Sequence, residues 1–341
     1  MSASLQILDP GLHTTIQDRG RFGYQSAGVP VSGALDADSL ALANALVGNV
    51  PDEAALEIRY TGPTIAINAD QALIALAGTS ASLAISGDGE SRSVPPYRSI
   101  RVRRGSRIAL PALSDSTTAY LAVAGGFDIA PVLGSRSTYV RGGFGGFQGR
   151  GLQAGDEIPL RSESAGERDE LVLSTPPLLK LPSRIRVVPG PQIEHFTDEA
   201  LEIFNRSDWR IGEKTDRMGM RLEGPRLRHR HGHDIVSDGI VTGSVQVPGT
   251  GQPIILLADR QTTGGYPKIA TIISSDLGDI GRARIGDILR FDMVTAAEAQ
   301  TAREKHVSRQ KQLLAAIAPI GTYIIDRLYQ ENLISGVYGD S

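Results

Sequence analysis

Residues 246–269, QVPGTGQPIILLADRQTTGGYPKI, place a run of hydrogen-bonding side chains where a fold could offer them to a ligand. Pro248, Gly249, Gly251 and Pro253 punctuate a turn, and residues 254–258 form a short apolar run suited to a buried strand. Asp259, Arg260, Gln261, Thr262 and Thr263 then follow in succession before Gly264 and Gly265 reverse the chain. A polar loop hinged by glycine at the end of a buried strand is a common setting for a polar ligand site. The same residues also fit a solvated hairpin loop held by Thr and Asp side-chain-to-backbone bonds.

A second stretch, residues 125–151, interleaves Arg136, Arg141 and Arg150 with glycines and the hydroxyls of Ser135, Ser137 and Thr138. Glycine lets backbone N–H groups approach an anion, and arginine can clamp a carboxylate or phosphate bidentately. Neither GxxxxGK[ST] nor a fitting GxGxxG is present, so a nucleotide site here would be of neither common type. The competing reading is a glycine-rich loop that packs on its neighbours through Phe144 and Phe147.

Three smaller groups carry chemistry in principle. Asp216-Arg217 and Asp18-Arg19 are adjacent acid–base pairs that serve either binding or a surface ion pair. Asp234 and Asp238 set two carboxylates on a turn, compatible with acid–base or magnesium roles. His229, His231 and His233 would share one face of a strand, as zinc ligands do, but the flanking Arg226, Arg228 and Arg230 disfavour a cation, and no metal is expected. No GxSxG nucleophile elbow occurs.

The elements that must hold these groups are read as mainly β. The 341 residues include 39 Gly and 19 Pro but only 1 Trp and 7 Phe, which favours short strands between many turns. Strands are expected at 55–60, 64–68, 72–77, 82–85, 99–102, 107–110 and 118–123. Helices are expected at 36–47, capped by Asp36 or Asp38 and ended by Gly48, and at 295–316. Residues 161–183 read as an interdomain linker, which divides the chain into 1–165, 184–294 and a helix with an apolar tail at 295–341. That tail, with Tyr323, Leu328, Tyr329 and Tyr338, is too apolar to be free and is expected to dock on this chain or a partner. The absence of cysteine excludes disulfides, thiolate metal sites and a Cys nucleophile. Lys+Arg 35 against Asp+Glu 38 leaves a net charge of −3, which points away from nucleic acid and anionic membranes. With no signal-like start and no membrane-length apolar run, a cytoplasmic protein is expected.

Taken together, four stretches resemble one known family. Residues 11–36 (GLHTTIQDRGRFGYQSAGVPVSGALD), 120–150 (YLAVAGGFDIAPVLGSRSTYVRGGFGGFQGR), 215–224 (TDRMGMRLEG) and 244–270 (SVQVPGTGQPIILLADRQTTGGYPKIA) look like the carboxyltransferase subdomain-B family, also called allophanate hydrolase subunit 2. It includes the C-type component of prokaryotic 5-oxoprolinase, the antagonist of the Kip kinase inhibitor and part of urea carboxylase. The resemblance runs from about Leu5 to Phe291 and implies two tandem cyclophilin-like β-barrels.

It further implies an obligate partner of the carboxyltransferase subdomain-A type, the B-type component of oxoprolinase, with the A-type component completing the reaction. In stand-alone bacterial members the implied activity is ATP-dependent opening of 5-oxo-L-proline to glutamate, with ATP and Mg as cofactors. Carboxyl transfer from carboxybiotin to a urea-type acceptor, with biotin on a separate carrier, is the alternative. A non-catalytic regulator that sequesters a B-type partner is the third. By position in the matched motifs, Gln246, Asp259, Gln261, Thr262, Thr263, Tyr266 and Lys268 are expected to line the site, and Arg136, Arg141 and Arg217 to contact anionic groups. Asp259 is the expected proton acceptor and Lys268 its charge partner.

Overall fold

The computed structural model describes residues 3–87, 89–162 and 164–321. The chain is mainly β, as expected, with two successive strand-built units and four α-helices among the described residues. The first unit packs a six-stranded sheet against a five-stranded one around a shared core that includes Leu5, Ile7, Ile16, Leu56, Ile67, Ile74, Leu121 and Ile158.

Burial explains why some strands alternate and others do not. Leu83–Gly87 has one covered face and alternates buried and exposed residues. Gln71–Ala77 and Thr118–Val123 are buried almost throughout, because the core lies on one face and helix α1 (Ala37–Leu46) on the other. Asp36 caps α1 by accepting from the N–H groups of Asp38 and Ser39, both at 3.2 Å. Gly48, at φ +73°, turns the chain away in the left-handed conformation that glycine adopts without a Cβ penalty. Leu40, Leu42 and Leu46 are each at most 1 % exposed, worth roughly 1.5–3 kcal/mol apiece in transfer free energy.

The second unit is built on an eight-stranded sheet, antiparallel except where Ile185–Pro189 runs parallel to Phe291–Met293, with a two-stranded ribbon of Asp238–Gly239 and Thr263–Gly264 beside it. Its two outermost strands, Ile288–Leu289 and Phe291–Met293, are separated in the chain by Arg290 alone. The sheet must therefore curl until its edges meet, which makes it nearly a closed barrel and leaves little free edge. Its core holds Ile185, Trp209, Ile211, Val245, Ile255, Ile269 and Phe291, with Phe204 of α2 (Asp198–Arg206) and Ile280 of α3 (Leu277–Arg282) packed in. Phe204 stacks on Phe291 with ring centroids 4.5 Å apart.

The stretch 161–183 is not a free linker. Its backbone is pinned to the edge strand Ser99–Arg103: the Arg101 guanidinium donates to the carbonyls of Gly166 and Arg168, and Glu170 accepts from the Arg101 N–H at 2.7 Å. Within it, Leu171–Leu173 pairs antiparallel with Ile317–Pro319, so the start of the expected tail does dock on its own chain. Tyr323, Leu328, Tyr329 and Tyr338 lie outside the described residues. Helix α4 (Ala296–Ala315) opens on a full capping box between Thr295 and Glu298.

Helix α4 reaches α1 through His306, whose Nε2 lies 3.0 Å from the Asp38 carboxylate. That hydrogen bond raises the His306 pKa above its usual 6.5, against the opposing effect of burial. The docking contribution is thus fully present below pH 6.5 and is lost as pH rises through the higher folded-state value. Hydrogen exchange of the α4 amides, corrected for the intrinsic rise of exchange with pH, should quicken in the wild type as pH rises above 6.5 and through the raised folded-state value. His306→Gln should flatten this pH dependence.

Candidate functional site

The two units meet at a buried charge cluster. Arg217 follows Trp209–Thr215 and is 5 % exposed. Its guanidinium reaches Glu57, in the middle of Ala55–Arg59 of the first unit, and grips Asp259 with Nε at 2.8 Å and Nη2 at 3.1 Å. It also donates to the Gly33 carbonyl at 2.8 Å. Burial lowers the Arg217 pKa, but Asp259 and Glu57 together raise it more, so the net shift is upward and the cation is fixed. Glu57 in turn accepts from Tyr120 Oη at 2.6 Å and from the Leu35 N–H at 2.9 Å. Burial and the Glu57 charge push the Tyr120 phenol well above 10.

This overturns two expectations. Asp259 does not stand free as a proton acceptor, and Arg217 does not face an external anion: each saturates the other, 4 % and 5 % exposed. Their task is to lock the start of the polar loop onto the first unit. Arg136 is elsewhere: its Nε donates to the Ile129 carbonyl at 2.7 Å, and it lies 3.7 Å from Glu53. Arg141 is exposed and touches the Met218 sulfur at 3.1 Å. Among the described residues neither arginine contacts the 246–268 cluster. Arg150 is spent in a bidentate pair with Asp156 at 2.7 and 2.8 Å.

The remaining expected residues do converge. Ser244–Gln246 pairs with Lys268–Ile272 so that Gln246 sits opposite Lys268. Both are at most 2 % exposed, and Gln246 Nε2 points to the Tyr266 carbonyl at 3.5 Å. Gly264 gives this carboxamide its room: a Cβ there would fall 2.6 Å from Gln246 Nε2 and push it aside. Lys268 Nζ meets Asp238 at 2.9 Å, and Gln192 Nε2 reaches the same carboxylate oxygen at 3.0 Å. The hydrogen bond from Lys268, then those from Gln192 and the Gly239 N–H, hold the Asp238 carboxyl below its usual range.

Thr263–Gly264 pairs with Asp238–Gly239, which brings this carboxylate over the loop. Gln261, Thr263 and Tyr266 are exposed at the rim, with Thr262 half-buried beside them. The cluster is therefore a buried ammonium with a half-exposed carboxylate, two carboxamides and a hydroxyl-bearing rim. Such a set can orient and polarise a small amide or ureido carbonyl.

Asp234 does not join Asp238, since it pairs with His233 Nδ1 at 3.1 Å. No group of three or more His, Asp or Glu arranged to hold a metal occurs among the described residues. Gln192 lies in the turn after Ile185–Pro189, and nothing around it in sequence marks it as functional. Glu57 did carry a signal, a carboxylate inside the apolar strand Ala55–Arg59, which burial makes costly unless paired.

Comparison with known proteins places this architecture. The family described as "Carboxyltransferase domain, subdomain A and B" matches residues 27–293. The chain belongs to that carboxyltransferase family. It is 36 % identical to the C subunit of 5-oxoprolinase from Escherichia coli over 309 residues, 91 % of this chain and 97 % of that protein. It is 31 % identical to urea amidolyase of Saccharomyces cerevisiae over 88 % of this chain but only 17 % of the yeast protein. Among solved structures, Kluyveromyces lactis urea amidolyase superposes with a TM-score of 0.82 at 28 % identity, covering 92 % of this chain and 20 % of that one.

Two results should follow from the buried cluster. Arg217→Met leaves two carboxylates uncompensated and should cost about 3–5 kcal/mol in denaturant unfolding. The triple variant Glu57→Gln, Arg217→Met, Asp259→Asn should recover most of that loss. Equal destabilisation of both variants would show that the charges are not mutually compensating.

Proposed function

We propose that this chain is the C-type component of a cytoplasmic, ATP-dependent 5-oxoprolinase, working with a B-type partner built on carboxyltransferase subdomain A and with an A-type component. The observation that carries this reading is the length match: similarity runs over 97 % of the Escherichia coli 5-oxoprolinase C subunit. The same chain spans only 17 % of the yeast urea amidolyase.

The Lys268 cluster suits the chemistry. A lactam carbonyl is a poor electrophile, and phosphoryl transfer from ATP to its oxygen turns that oxygen into a leaving group. Water then adds to the carbon and the ring C–N bond breaks, leaving an acyl phosphate on the side-chain carboxyl, and a second water hydrolyses it, so that the products are glutamate, ADP and phosphate. In this scheme the Lys268 ammonium faces the oxygen on which negative charge develops. Asp238 holds the ammonium in place, Gln246 and Gln192 orient the substrate amide, and Tyr266 with Thr262 and Thr263 closes the rim against water. ATP with Mg supplies the phosphoryl group. The resemblance to urea amidolyase supports a second reading, in which the same cluster polarises the ureido carbonyl of carboxybiotin brought by a separate carrier.

ATP hydrolysis by this chain co-purified with its partner should be stimulated by 5-oxo-L-proline. Lys268→Met and Asp238→Asn should each lower that stimulated rate by about 10²–10³-fold while the complex still elutes intact. Wild-type rates in both variants would remove the cluster from the reaction. A stable complex without stimulated turnover would move the assignment to biotin chemistry.

A further inference from the structure

Five cationic side chains are buried among the described residues, and four of them are answered. Lys268 meets Asp238, and Arg217 holds Glu57 and Asp259. The Arg21 guanidinium lies 4.9 Å from the centre of the Phe144 ring and that of Arg59 5.0 Å from the centre of the Tyr60 ring, each over a face of negative potential. Arg260, 2 % exposed, has neither a carboxylate nor a ring among the described residues. Its Nε and Nη2 donate to the Ile240 carbonyl at 3.3 and 3.2 Å, and its Nη1 to Thr242 Oγ1 at 2.7 Å. Its neighbour Asp259 is turned to Arg217. Burial alone draws the Arg260 pKa down, with no carboxylate to raise it. An ion taken out of water without a counter-charge is a standing cost to the free protein, and neutral acceptors offset only part of it.

The position of this charge gives the cost a use. Arg260 stands at the root of the polar loop, and the Ile240 carbonyl that it grips lies two residues past Asp238, a run of about 7 Å along an extended chain. Ile240 is also next to the cluster: a Cβ on Gly264 would fall 2.7 Å from Ile240 Cδ1 and 2.6 Å from Gln246 Nε2. One residue thus separates the Arg260 guanidinium from the Gln246 carboxamide. That residue is backbone and an aliphatic side chain, so the field crosses it with little screening. Lys268 and Asp238 cancel, and Arg260 leaves one positive charge over. 5-Oxo-L-proline brings one negative charge, the carboxylate on the ring carbon across the nitrogen from the lactam carbonyl.

We infer that Arg260 sets the specificity of the Lys268 site for an acidic lactam, as a fixed positive charge beneath the polar loop that answers the carboxylate of the substrate. It is a positioning residue that acts through its field, since its guanidinium is sealed from the surface. The inference rests on the reading of this site as one for 5-oxo-L-proline and deepens it. The carboxamide counterpart, 5-oxo-L-prolinamide, has nearly the same shape and no charge, and the site should disfavour it.

The test is calorimetric titration of this chain, co-purified with its partner, with 5-oxo-L-proline and with 5-oxo-L-prolinamide. The wild type should bind the acid about tenfold more tightly than the amide. Arg260→Gln keeps a donor for the Ile240 carbonyl but drops the charge, and should bring the two affinities close together. Arg260→Lys keeps the charge without the fork, and should hold the wild-type ratio. A loosened fold weakens both ligands alike, so the ratio reads the charge and not general damage. A Gln variant that keeps the wild-type ratio overturns the inference. So does a Lys variant that loses the preference as Gln does, or a wild type that has none.

The two readings fail separately. Stimulated 5-oxoproline turnover with a preference indifferent to the charge at position 260 refutes the inference and spares the function. A preference that follows that charge, without turnover, supports the inference and refutes the function.

Discussion

A guanidinium sealed from water is tolerable only if its charge is answered in full, and the architecture follows from how Arg217 is answered. Removing an ion from water costs several kcal/mol even after relaxation. Here the compensation comes from both units at once: Glu57 from a strand of the first, Asp259 from the loop that leaves a strand of the second. Neither unit can slide or rotate without exposing a bare carboxylate or stranding the cation. The same Glu57 carboxylate catches the Leu35 N–H, and the residue after Leu35, Asp36, caps α1 and accepts from Arg282 of α3. A chain of ionic contacts thus runs along the whole junction, and apolar packing alone would not impose so specific a register.

The consequence for chemistry is a division between fixed and reactive groups. Asp259 and Arg217 are buried and mutually satisfied, so the loop begins from a rigid point. Arg260, 2 % exposed, binds the Ile240 carbonyl and Thr242 Oγ1 rather than a carboxylate, and burial draws its pKa down to about 10. Beyond these anchors the chain emerges to the rim residues and returns through Tyr266 to Lys268. Groups that must be placed to a fraction of an ångström are best hung between such anchors.

Much of the first unit was legible because its strands are short apolar runs between Gly, Pro and Asp. The strand at 118–123 matches the structure to the residue, and others differ by a residue or two at their ends. What the sequence concealed is long-range. Ser4–Asp9 pairs with Glu157–Pro159 and with Thr64–Ile67, a registry that no local pattern encodes. Helix α3 is six residues with two glycines, too short and too weak a helix former to signal itself. In the site, Gln246 and Lys268 were readable because they lie in one polar stretch. The roles of Asp259 and Arg217 were not, since an acid or base in a motif looks the same whether it awaits a ligand or a counter-ion 42 residues away.

The pairing of Leu171–Leu173 with Ile317–Pro319 bears on how the molecule comes into being. During synthesis the first of these segments leaves the ribosome long before its mate exists. Until residue 317 has been made, the 161–183 stretch is held by its bonds within the first unit, to the edge strand and through Arg161 to Glu53 and Arg168 to the Val47 carbonyl. The strands of the second sheet end at Met293, so all of them are made before this clasp can close. Its formation is an ending step with high sequence separation, slow by topology and poorly placed to guide earlier events. A ribosome that stalls before residue 317 would therefore release a molecule with two formed cores and an unclosed seam, a species that quality control could single out.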